Sequence, residues 1–72
     1  MSEIQLYRRV GKKIREVRES KNLSQQALAD MCNFEKSNMS RIEAGKNNLT
    51  LKTLEKIANG LGVKIKDLLD FE

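Results

Sequence analysis

Apolar residues recur along this chain at helical spacing and not in alternation. Leu6, Tyr7, Val10, Ile14 and Val17 fall on one face at i, i+3, i+4 intervals, with Arg8, Lys12, Arg15 and Glu19 opposite. This predicts a first amphipathic helix over about 4–21, with Lys21 and Asn22 as its stop. Ser24 has the chemistry of an N-cap for a second helix over about 25–31, buried through Leu28 and Ala29, with Asn33 and Phe34 as the following turn. A third helix over about 35–44 turns Met39 and Ile42 inward. Ser37, Ser40 and Arg41 share its outer side within about 100° of arc, flanked by Lys36 and Asn38. Gly45 ends it as the residue suited to a left-handed backbone. Thr50 is the next N-cap, for a helix over about 51–59 with Leu54, Ile57 and Ala58 inward and Gly60 and Gly62 closing it. A last helix over about 64–70 carries Ile65, Leu68 and Leu69. Proline is absent. The expected fold class is all-α, a compact bundle of five short helices, in which the second and third have the format of a helix-turn-helix.

Composition narrows the chemistry. A chain of 72 residues is expected to form a single domain over 1–72, with little room for a buried substrate pocket. Hydrophobic content of 39% with 33% charged residues reads as globular. A net charge of +4 suits a polyanionic partner. The chain has one cysteine, Cys32, and no histidine, so an intrachain disulfide, a Cys/His pair and the usual zinc site are excluded. Cys32 is expected to be a small buried apolar side chain. No set of acid, base and nucleophile is gathered anywhere, so neither an enzyme, a metal, a cofactor nor a small-molecule ligand is expected. No stretch has transmembrane length and the N-terminus lacks a signal-peptide core, so a cytoplasmic protein is expected.

Several residues then coincide in register. Leu23-Ser24-Gln25 opens the second helix, Ala29 lies within it, and Ser40-Arg41-Ile42-Glu43-x-Gly45 ends the third. Leu54-x-x-Ile57-Ala58-x-x-Leu61-Gly62-Val63 and Leu68-Leu69 follow. Over about 10–69 this pattern resembles the lambda-repressor-like helix-turn-helix family, also called the xenobiotic-response-element type. The resemblance implies that the third helix enters the major groove of double-stranded DNA, which is about 12 Å wide and admits one helix. It implies base contacts by Lys36, Ser37, Asn38 and Arg41, with Ser40 facing the same way; the plain alternative is a solvated polar face. Arg41 could fork onto guanine and Asn38 could pair with adenine. Gln25, shared with Ser24, is implied to grip phosphate at a helix N-terminus. Lys46, Asn47 and Asn48 are implied to meet the backbone, setting affinity and register. Arg18 and Glu43 match two positions that pair in the family and imply an ion pair between the first and third helices.

This chain departs from the family pattern at Glu35, where a Ser or Thr cap is usual, at Cys32, where leucine is commoner, and at Asn48, where proline is frequent. Residues 24–45 carry Lys36 and Arg41 against Asp30, Glu35 and Glu43, a net of −1, so affinity must rest on directed hydrogen bonds, helix ends and basic residues elsewhere. The leading expectation is a sequence-specific DNA-binding transcriptional regulator, a homodimeric repressor or controller protein. Its two recognition helices would lie one turn, about 34 Å, apart on a near-palindromic site. Leu69 and Phe71 are the candidates for the dimer seam. The alternative is a protein-interaction module or antitoxin-like partner on the same fold. RNA binding ranks low, because Tyr7 and Phe34 form no stacking platform.

Overall fold

Ser2 starts the first helix, α1 (Glu3–Ser20), through a capping box. Its hydroxyl accepts from the Gln5 amide at 3.2 Å while the Gln5 side chain accepts from the Ser2 amide at 3.0 Å. In the computed structural model, which describes residues 1–70, four further helices follow: α2 (Gln25–Cys32), α3 (Lys36–Glu43), α4 (Leu51–Leu61) and α5 (Ile65–Leu68). Ser24 accepts from the Ala27 amide at 3.0 Å and Thr50 from the Thr53 amide at 3.1 Å, so both cap their helices. Glu35 precedes α3 without a side-chain cap bond. Asp67 reaches back to the Lys64 amide at 2.9 Å to start α5.

Four helices end in the same way. Asn22, Asn33, Gly45 and Gly62 are the residues of left-handed backbone among those described, at φ 59°, 58°, 73° and 71°. After each, the next amide bonds five residues back: Leu23 to Arg18, Phe34 to Ala29, Lys46 to Arg41 and Val63 to Ala58, at 3.2, 2.8, 2.9 and 3.0 Å. The left-handed residues themselves bond three back, to Glu19, Asp30, Ile42 and Asn59. This is the Schellman ending, which commonly brings an apolar residue just past the left-handed one onto the helix. Leu23, Phe34 and Val63 fill that role and pack on the core; Lys46 does not, and stays exposed.

The boundaries depart from the sequence reading in particular places. Gly60 lies inside α4, which runs on to Leu61, and Gly62 closes it. A Cβ at Gly60 would come 3.2 Å from the Leu28 side chain, so this glycine marks the crossing of α4 over α2. Leu6 is 41% exposed, not buried, because it lines an open apolar groove with Leu49, Leu51, Leu54 and Leu69. The last helix is four residues long, ending before Leu69.

Ile14, Leu28, Met39, Ile42, Ile57 and Leu68 are fully buried at the centre, drawn from all five helices. Each such side chain contributes about 1.5–3 kcal/mol by leaving water. Ala29 and Cys32 join them, and burial pushes the Cys32 thiol up from its ordinary range, keeping it protonated. Phe34 is half-buried, with Lys56 of α4 over its ring at 5.9 Å, which ties the turn before α3 to α4. At the opposite end of α3, α1 approaches very closely: a Cβ on Gly11 would lie 2.5 Å from the Ile42 carbonyl oxygen and 2.6 Å from that of Glu43. Gly11 was not singled out by periodicity, because a missing side chain leaves no mark in an apolar pattern.

Candidate nucleic-acid interface

Helix α3 divides cleanly into two sides. Met39, Ile42 and Glu43 are buried, Lys36, Ser37, Ser40 and Arg41 are exposed, and Asn38 is half-buried. The outer strip is therefore wholly polar and carries two cations.

A buried hydrogen-bonded network sets the angle of this helix. Arg18 of α1 meets Glu43 side-on, Nε to Oε2 at 2.7 Å and Nη2 to Oε1 at 3.1 Å. Its remaining nitrogen, Nη1, donates to the Leu23 carbonyl in the turn before α2 at 2.7 Å. Gln25, the first residue of α2, donates from Nε2 to Glu43 Oε1 at 3.0 Å. Helices α1 and α2 thus converge on a single carboxylate of α3, and Arg18 ties the turn between them to the same network. Its hydrogen bond and charge hold the Arg18 guanidinium above its already high range, against the opposing effect of burial. Among the described residues, no buried side-chain nitrogen or oxygen lacks a partner, which is what makes an ion pair in this position tolerable.

The N-terminus of α2 opens onto a polar hollow lined by Arg15, Arg18, Ser24, Gln25, Gln26 and Lys36. The first amides of a helix have no intrahelical acceptor, so Gln25 and Gln26 present N–H groups where positive charge also gathers. In the sequence Arg15 falls on the face of the first helix opposite its apolar residues. The structure brings it to this hollow beside Lys36, held at 3.3 Å from Glu19. Its place three residues before Arg18 was the available signal, since i and i+3 share a face.

The loop after α3 engages the body of the protein. Asn47 Nδ2 donates to Asn38 Oδ1 at 2.8 Å, and Arg41 Nε donates to Asn47 Oδ1 at 3.4 Å. Tyr7 of α1 donates its hydroxyl to Asn48 Oδ1 at 3.0 Å. Lys46 remains exposed beside them. Leu6, Tyr7, Val10, Leu49, Leu51, Leu54 and Leu69 line an apolar groove of about 160 Å³. Leu51 and Leu69 are exposed to 75% and 42%. Phe71, the other residue considered for a dimer seam, lies outside the described residues.

Known proteins resemble this chain in sequence and in fold. Control protein C.BamHI of Bacillus amyloliquefaciens is 48% identical over 62 residues, covering 85% of this chain and 76% of that one. Control protein C.MunI of a Mycoplasma species is 39% identical over 61 residues, covering 83% and 82%. The crystal structure of the restriction-modification controller protein C.AhdI from Aeromonas hydrophila superposes with a TM-score of 0.84 at 31% identity, covering 86% of this chain and 94% of that one. A family model described as helix-turn-helix matches residues 14–68. By that match and these likenesses, the chain belongs to the helix-turn-helix family.

Proposed function

We propose that this protein is a sequence-specific regulator of transcription that binds double-stranded DNA as a homodimer and carries out no catalysis. The observation that carries the reading is the two-sidedness of α3: a polar, cationic outer strip on a helix whose inner side is locked to α1 and α2 through Glu43. A rigidly held helix with such a strip fits the major groove, where Lys36, Ser37, Asn38, Ser40 and Arg41 meet base edges. Ser24 and Gln25, with Arg15, grip a phosphate at the α2 N-terminus. Lys46 and the Nδ2 of Asn48, whose oxygen is taken by Tyr7, meet the backbone beyond α3. Likeness to control proteins of restriction-modification systems favours a controller or repressor role, acting where the DNA lies, in the cytoplasm.

One module spans only a few base pairs, so pairing extends the site. The groove between α1, α4 and Leu69 supplies an exposed apolar surface for a second copy. Selection of binding sites from a random duplex library, with affinities repeated at two salt concentrations, tests the reading. The expected result is a short inverted repeat bound far more tightly than random DNA. Weak, salt-sensitive, sequence-blind binding would overturn it and favour a protein-interaction module.

A further inference from the structure

Asn47 stands outside α3, yet both hydrogen bonds of its side chain go to that helix's outer strip. Its neighbours fix it there. The amide of Lys46 is tied to the Arg41 carbonyl at 2.9 Å by the Schellman ending, and Asn48 is tied to Tyr7 of α1 at 3.0 Å. Held from both sides, Asn47 bridges Asn38 and Arg41, which are neighbours at i and i+3.

The chemistry of Arg41 determines every orientation in this bridge. A guanidinium can only donate, so the amide oxygen of Asn47 must face it. The NH2 of Asn47 then faces Asn38, and Asn38 must answer with its oxygen. Among the described residues, that leaves the Nδ2 of Asn38 without a protein partner, as a donor at the edge of the strip. Arg41 is held by Nε, which leaves its terminal fork free.

We propose that Asn47 is a positioning residue for base readout, which sets Asn38 as a hydrogen-bond donor and orders Arg41 before DNA arrives. This inference rests on the reading of α3 as the recognition helix. An unrestrained asparagine amide can turn either way and offers donor or acceptor alike. Once clamped, Asn38 selects a base-edge acceptor, such as guanine N7 or O6 or thymine O4. Ordering both side chains in advance also lowers the entropy lost on binding.

Two variants and the unaltered protein test this, each checked by thermal unfolding and each put through site selection and affinity measurement on selected and random duplexes. The unaltered protein should select an acceptor at one base position per half-site. Asn47→Ala should relax that position and reduce the specific-over-random affinity ratio about 5- to 10-fold, the lower range of one good base contact. Asn47→Asp keeps an acceptor for Arg41 but offers no donor to Asn38. Asn38 must then turn its NH2 inward and its oxygen outward, so the preferred base should change to one with an amino donor, adenine or cytosine. The added negative charge weakens all duplexes together and leaves the ratio to report on readout. Equal losses on selected and random DNA, with the base preference unchanged in both variants, would overturn the positioning role and leave α3 as the reader. Absence of any selected sequence for the unaltered protein would overturn the α3 reading itself, and this inference with it.

Discussion

Glu43 keeps its carboxylate nearly out of water and depends on three N–H donors, two from Arg18 and one from Gln25. Removing its charge leaves the Arg18 guanidinium buried without a counter-ion. Glu43→Gln should therefore cost about 3–5 kcal/mol in urea unfolding. Replacing both partners together, Arg18→Met with Glu43→Leu, should recover part of that loss, because no charge is then left buried, while the Leu23 carbonyl and the Gln25 amide lose their partners. A loss in the double variant as large as in the single one would contradict this. The pairing of residues 18 and 43 was available from the sequence through family resemblance. The third arm from Gln25 was not, because it depends on how the α1–α2 turn delivers the first residue of α2. The same holds for Asn47: its composition suggested a backbone contact, and only the folded loop brings it to Asn38 and Arg41.

At the scale of the element, helix ends and crossings were legible to different degrees. Asn-Leu, Asn-Phe and Gly-Val at 22–23, 33–34 and 62–63 each pair a residue tolerant of left-handed backbone with an apolar one that folds back on the core. That signal marks the Schellman endings, and it was read only as stops and turns. Gly60 looked like a terminator by composition, yet α4 continues through it, since tertiary packing against Leu28 overrides the weak helix propensity of glycine. Two glycine substitutions separate backbone strain from steric conflict. Gly62 has open space around a would-be Cβ, so Gly62→Ala should cost only the left-handed penalty, about 1–2 kcal/mol. Gly11→Ala must instead push α1 away from the carbonyls of Ile42 and Glu43. It should destabilise more in thermal unfolding, and it should also weaken specific DNA binding because the angle of α3 shifts. Equal costs for the two would argue that the α1–α3 approach has slack.

For the whole molecule, the core was the most legible feature: Val10, Ile14, Leu28, Met39, Ile42, Leu54 and Ile57 were all expected inside and are all buried. Helical periodicity reports burial directly when every element packs on one centre. Surfaces are harder to read, because an apolar residue such as Leu6 or Leu69 satisfies the same periodicity whether it faces the core or a second copy. Leu69→Asp probes this distinction. Leu69 is exposed, so the monomer should keep its fold by circular dichroism, while sedimentation should show weakened self-association and a two-half-site duplex should be bound less tightly. Unchanged association, or none in the unaltered protein, would contradict the proposed seam.

On the proposal that the outer strip of α3 reads bases, Arg41 is the side chain best suited to show it. The most direct measurement is the affinity of Arg41→Ala, beside the unaltered protein, for the selected duplex and for random duplex at the same salt concentration. Arg41→Ala should lose about 1–3 kcal/mol on the selected duplex and much less on random DNA, with relaxed discrimination at one base position. Near-equal losses on the two duplexes would contradict the proposal, since they would make Arg41 a phosphate contact and remove base readout from the strip.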